Sequence, residues 1–291
     1  MHKVMEFFWL SACGKQTSPL YAVFIESIRL FYKLQILTHA ILLAIIKQTF
    51  PYYQRSISLS FLKQKPLLYL FNAMVLMSAG SAILWIYRVM DTGRLTFRWL
   101  LIPNLVLAWI PFIMALILFD WYQRKQRFSI GMLPIAGVWL FFLPNAAYIV
   151  TDIVHLTTLN IRYFIYYDVT LNFYFALTGI ILGFLSLTLL HHILTQRFGP
   201  LIGWLFVLIT QLLTGIGVYL GRFLRWNSWD IIQHPVSILT HAIEAIFNQE
   251  AVLFIVHFSI FVAFVYPLFY ILIRPYVSSL HPSQVEAKTH Q

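Results

Sequence analysis

Three short segments gather the residues able to do chemistry. The first is Leu143-Pro144-Asn145-Ala146-Ala147-Tyr148-Ile149-Val150-Thr151-Asp152-Ile153-Val154-His155. If the chain stays helical past Pro144, then Asn145, Tyr148, Asp152 and His155 recur at intervals of 3, 4 and 3 and share one stripe. Pro144 is expected to kink that helix and free a backbone carbonyl near Asn145. Asp152 and His155, one turn apart, have the makings of an acid/base pair or of two metal ligands. The second segment is Tyr166-Tyr167-Asp168, whose carboxylate can complete such a site. The third is Gly221-Arg222-Phe223-Leu224-Arg225-Trp226-Asn227-Ser228-Trp229-Asp230. Its two guanidinium forks suit a phosphate or a carboxylate, and Asp230 adds another acid. If this segment is helical, Arg222, Arg225, Trp226 and Trp229 form one stripe. Alternatively, Asn227 caps a new short helix with Asp230 in its first turn.

Each segment also has a plainer reading. Trp226, Trp229 and Tyr166 fit the aromatic belt found at membrane interfaces. Arg222 and Arg225 can snorkel to bilayer phosphates. Asp168 can cap a helix, because acids favour helix N-termini. Asp152 and His155 can belong to an ion-pair network with Arg222 or Arg225 that holds no ligand.

The elements that must position these residues are membrane spans. Of the 291 residues, 60% are hydrophobic and 10% charged, whereas soluble domains carry roughly 25% charged residues. So few charges cannot cover that much apolar surface in water. Apolar runs at 67–87, 99–119, 130–150, 169–190, 200–221 and 251–273 contain no Asp, Glu, Lys or Arg. Each has the roughly 20 residues a helix needs to cross about 30 Å of hydrocarbon. The runs are continuous rather than alternating, which favours helices over a barrel. The expected fold is all-α, a polytopic transmembrane bundle of about six spans.

Residues 1–65 read as an N-terminal cytoplasmic or interfacial extension. Leu34–Ile46 is apolar but interrupted by His39 and preceded by Glu26, Arg29 and Lys33, which suits an interfacial helix better than a span. A seventh span over residues 30–50 is the alternative. The start lacks the pattern of a cleaved signal peptide. Residues 66–274 form the membrane domain, and 275–291 a cytoplasmic tail.

Lys and Arg counts orient the bundle. With the N-terminus inside, 14 of the 20 Lys and Arg fall on the cytoplasmic side and 6 outside. That satisfies the positive-inside rule and leaves both termini cytoplasmic. All three polar segments then lie on the outer face. After Pro235, Val236–Asn248 reads as an amphipathic helix flat on the outer leaflet. Leu239, Ala242, Ile243 and Ile246 lie on one side, with His241 and Glu244 on another.

Other polar residues read as structural. Asn72, Asn104, Asn172, Gln211 and His257 lie within spans and are expected to hydrogen-bond across helices. His191 and His192, at a cytoplasmic end, are expected to meet headgroups. Gly179/Gly183, Gly199/Gly203 and Gly217/Gly221 have Gly-xxx-Gly spacing. That predicts close packing of spans four and five, or a homodimer through those faces. The single Cys13 excludes an intrachain disulfide and a Cys-based zinc site. The net charge of +10 comes with no nucleic-acid motif, so no nucleic-acid partner is expected.

The Leu143–Asp152 and Gly221–Asp230 motifs together resemble the family described as domain of unknown function 1361. The resemblance covers roughly residues 67–273, and Ala147 stands where the family pattern has Pro. It implies an uncharacterised multi-pass membrane protein of the bacterial plasma membrane and brings no established activity.

Two classes of function fit these residues. In the first, the outer cluster binds an anionic lipid, an envelope component or a partner. Asn145, Tyr148, Arg222, Arg225, Trp226, Asn227 and Asp230 supply the contacts. In the second, a membrane enzyme acts on a lipid or lipid-linked envelope substrate, with Asp152, His155 and Asp168 catalytic. Nothing supplies an unmistakable nucleophile, no complete metal signature such as His-Glu-x-x-His is present, and no cofactor is specified, so binding is preferred. A transporter ranks third, because coupled transporters place ionisable groups near the midplane.

Overall fold

In the computed structural model, residues 65–92, 101–158, 165–228 and 230–278 are described. The expected N-terminal extension and the tail after Ser278 lie outside them. Among the described residues the chain is entirely helical. It runs through α1 (Lys65–Thr92), α2 (Leu101–Lys125) and α3 (Met132–Tyr148), which continues as a 3-10 segment, Ile149–Thr158. Then come α4 (Ile165–Phe198), α5 (Pro200–Arg222), α6 (Asp230–Gln233), α7 (Pro235–Phe247) and α8 (Gln249–Ser278). Helices α1, α2, α3 with its continuation, α4, α5 and α8 are each long and apolar enough to cross a membrane. The chain is a multi-pass integral membrane protein.

Several helices overrun the charge-free runs. Arg88 belongs to α1, Asp120 and Arg124 to α2, and Asp168 to α4. Helix α8 continues through Arg274 and Pro275, past the expected end at residue 274. Backbone groups in lipid must be satisfied internally, so helices extend until water or headgroups can take over. Ionisable residues that the sequence places in loops thereby become parts of helix ends.

Helix α4 is the axis. It touches each of the other five spans, and 67% of its most apolar stretch is buried, against 22% for α1 and α8. At 1.5 Å per residue its 34 residues reach about 51 Å, well beyond the hydrocarbon core. Gly199 alone separates α4 from α5, with φ of 91° and Pro200 opening the next helix. Only glycine adopts that conformation without strain.

A Cβ at Gly203 would run into Thr195 and His191 of α4, the expected close packing of spans four and five, whereas the other two pairs pack on a third helix. A Cβ at Gly179 would meet the Ala146 carbonyl oxygen at 2.6 Å, and one at Gly183 the Ala146 Cβ at 3.0 Å. On the other side, a Cβ at Gly217 would meet Pro144 Cγ at 2.5 Å, and one at Gly221 the Tyr148 ring at 3.2 Å. Spans four and five therefore turn these glycines toward α3, which they clasp from two sides. The missing side chains let three backbones approach closely. The faces of Gly179, Gly183, Gly217 and Gly221 are filled within the chain.

The two histidines also differ from the expectation. His191 is 1% exposed and packs among Trp204, Tyr266 and Tyr270, with Nδ1 at 3.0 Å from the Tyr266 hydroxyl. His192 is buried too and lies beside Phe119. The central position of α4 explains this: it stays inside the bundle as far as Ile193, and only Gln196–Phe198 at its end are exposed.

Candidate functional site

The clasp on α3 fixes the chain that leaves it. Tyr148 ends the helix, and the tighter 3-10 turn follows at once. Thr151 and Asp152 are thereby set against the C-terminal end of α5 (Pro200–Arg222). Arg222 Nη2 lies 2.5 Å from Asp152 Oδ1. Its Nε and Nη2 also donate to Thr151 Oγ1, at 2.8 and 2.5 Å. Thr151 in turn donates to the Tyr148 carbonyl at 2.7 Å. The guanidinium stands 4.3 Å over the Tyr148 ring, a favourable cation–π distance. Asn104, from the first turn of α2, donates to Asp152 Oδ2 at 3.0 Å. Both oxygens of the Asp152 carboxylate are thus held, in a site where the Asp side chain is 7% and the Arg side chain 13% exposed.

Asp168 has a different partner. It faces Arg88 of α1, with Nε to Oδ1 at 2.7 Å and Nη2 to Oδ2 at 3.1 Å. This bidentate pair is buried on both sides. The Tyr167 hydroxyl donates to the Leu84 carbonyl at 2.9 Å, fastening the same two helices. Tyr166 is exposed. Asp168 therefore anchors α1 to α4, whereas Asp152 anchors α3 to α5.

The loop after α5 forms the third part. Phe223 donates to the Tyr219 carbonyl at 2.9 Å and Trp226 to the Leu220 carbonyl at 3.2 Å, closing the helix end. Arg225, between them, has φ of 59°. It is exposed and makes no ion pair among the described residues. Its neighbours are tied down. The Trp226 indole donates to His241 Nδ1 of α7 at 3.1 Å. Ser228 and Asn145 exchange hydrogen bonds at 2.8 and 3.1 Å. Asn227 donates to Asp230 Oδ2 through its backbone at 2.7 Å and its amide at 3.2 Å. The capping roles are thus the reverse of the expectation: the carboxylate is the acceptor and the Asn amide the donor.

Tyr148, Asp152 and Arg222 are therefore brought together, and Asn145 stands with Ser228. Arg225, Trp226, Asn227 and Asp230 lie along the adjoining loop, and Asp168 stands with Arg88. The side chains of His155 and Trp229 lie outside the described residues.

Sequence reasoning missed Arg88, Thr151, Ser228 and the part of His241 in the loop. Arg88 carried a faint signal, since it follows the first apolar run by a single residue and one helical turn extends to it. Of the span residues expected to bond across helices, Asn104 does so. Asn172 instead donates to the Asp168 carbonyl within its own helix. His257 bonds the Leu253 carbonyl and is exposed, while Gln211 Nε2 is buried with no hydrogen-bond partner.

No curated protein and no solved structure matches the chain. A family model described as a protein of unknown function (DUF1361) matches residues 103–265. That stretch takes in Asn104, Asp152, Asp168, Arg222 and Arg225, but not Arg88. Since it covers more than half of the 291 residues, the chain belongs to the DUF1361 family.

Proposed function

We propose that this membrane protein binds an anionic lipid headgroup at the rim formed by the 223–228 loop and α7. Arg225 is the receiving cation. The observation that carries this reading is an exposed arginine in the left-handed region, inside a loop whose next three residues are each hydrogen-bonded. Such a conformation is uncommon for a non-glycine residue and has an energetic cost. The tethers at Trp226, Asn227 and Ser228 offset that cost and hold the guanidinium outward.

The surroundings suit a lipid. Phe223 and Leu224 are exposed beside Arg225, and Leu239, Ile243, Ile246 and Phe247 are exposed on α7. An apolar shelf next to one cation matches an acyl chain below a phosphate. Arg222 is already engaged by Asp152, Thr151 and Tyr148, so it acts as the strut that places the loop. The enzyme reading has less support, because the oxygens of Asp152 and Asp168 are all engaged by Arg222, Asn104 or Arg88.

The Lys and Arg asymmetry supports both ends being cytoplasmic and this rim lying on the outer leaflet. Fusions of a compartment reporter after Gln126 and Gln196 then read inside, and one after Asn248 reads outside. The binding itself is tested by native mass spectrometry of the purified protein. Phosphatidylglycerol should be retained at collision energies that strip phosphatidylcholine. Equal retention of the two lipids would remove the case for an anion site.

A further inference from the structure

A polar group without a partner stands in the apolar middle of the bundle. Gln211 of α5 is 3% exposed, and its Nε2 has no hydrogen-bond partner. The cross-helix bond that its position in a span predicts is absent. In lipid no bulk water reaches such a group, so an unmet amide donor there is strongly unfavourable. Gln211 lines a cavity of about 20 Å³ between α3, α4, α5 and α8, with Leu143, Gly183, Phe184, Thr214 and Val262 among its walls.

That volume is large enough to hold an ordered water. Apolar cavities of this kind stay dry, whereas a water needs at least two polar partners. Two are present. Gln211 Nε2 is a donor. Thr214 Oγ1, 3% exposed, gives its own hydrogen to the Thr210 carbonyl at 2.8 Å and so keeps lone pairs for an incoming donor.

We infer that this cavity is a binding site for a single ordered water, which accepts from Gln211 Nε2 and donates to Thr214 Oγ1. The water satisfies the Gln211 amide and links it to Thr214 along α5, at the junction of four spans. It stands apart from the headgroup rim, and neither reading depends on the other.

X-ray hydroxyl-radical footprinting of the intact protein in lipid nanodiscs tests this, because radicals form at bound waters and label the side chains that touch them. Phe184 borders the cavity, while Phe175 on the same helix is fully buried away from it and serves as the dry control. Phe184 should be labelled several-fold faster than Phe175 in the wild type. In Gln211→Leu and in Thr214→Val, which removes the acceptor with little change of shape, the Phe184 rate should fall to that of Phe175. Equal rates for the two phenylalanines in the wild type would overturn the inference. So would a wild-type Phe184 rate in both folded variants.

Discussion

Arg222 and Asp152 lie 70 positions apart in the chain and close to 2.5 Å at the ends of adjacent spans. With Thr151, which also accepts from Arg222, the pair ties the start of the 3-10 segment to the end of α5, where the 223–228 loop begins. Removing one partner leaves the other charge buried and unmatched. Such a loss costs about 3–5 kcal/mol. Asp152→Ala and Arg222→Ala should each lower the unfolding midpoint in mixed micelles strongly. The double variant should cost much less than their sum. Additive losses would mean that the two side chains are not coupled.

Arg88 and Asp168 form the second strut, and here the prediction concerns the docking of α1. Ser81 and Thr178 hydroxyls approach to 3.3 Å between the same two helices. In a chain with Cys13 replaced, cysteines at 81 and 178 should crosslink readily. Arg88→Leu should slow that crosslink, and Arg88→Lys should slow it less, since charge remains but the bidentate fork is lost. An unchanged rate in Arg88→Leu would show that α1 is held by apolar packing alone.

The spans were legible because hydropathy reports directly on the solvent that surrounds a helix. Tyr148 and Asp152 do meet at Arg222, although the chain between them is 3-10 rather than the continuous helix that the spacing assumes. Pairing across helices was not legible. Asp168 meets Arg88 rather than Arg222 or Arg225 because α1 packs on α4, and helix adjacency leaves no mark on one sequence. His191 looked interfacial for the same reason: its burial follows from the five neighbours around α4. The glycines announced close packing but not with which partner.

The clasp on α3 yields a steric prediction. A Cβ at Gly179 would sit 2.6 Å from a backbone oxygen, which cannot swing aside as a side chain can. Overpacking of this kind costs about 1–3 kcal/mol. Gly179→Ala should be destabilising by that order in thermal unfolding. Gly137→Ala, where a Cβ meets nothing within 4 Å, should be neutral or stabilising. The two variants behaving alike would argue against the clasp.

Trp226 and His241 tether the loop to α7. The indole can only donate, so His241 Nδ1 must accept and its proton must be on Nε2. Removing that acceptor should therefore release Trp226 and loosen the Arg225 loop. His234, whose ring lies 6.2 Å from Trp226, is the control. The Trp226 indole N–H resonance should move in His241→Phe and keep its wild-type position in His234→Gln. An unchanged resonance in folded His241→Phe would contradict the tether.

The central claim is that Arg225 receives an anionic headgroup while Arg222 only positions it. Titration of the purified protein in neutral-lipid nanodiscs with phosphatidylglycerol, at low and high salt, tests this most directly. Wild type should bind in a salt-sensitive way, since the cation is exposed. Arg225→Lys should bind more weakly because the bidentate fork is lost, and Arg225→Leu should lose the salt-sensitive component altogether. Full salt-sensitive binding by a folded Arg225→Leu protein would contradict the account.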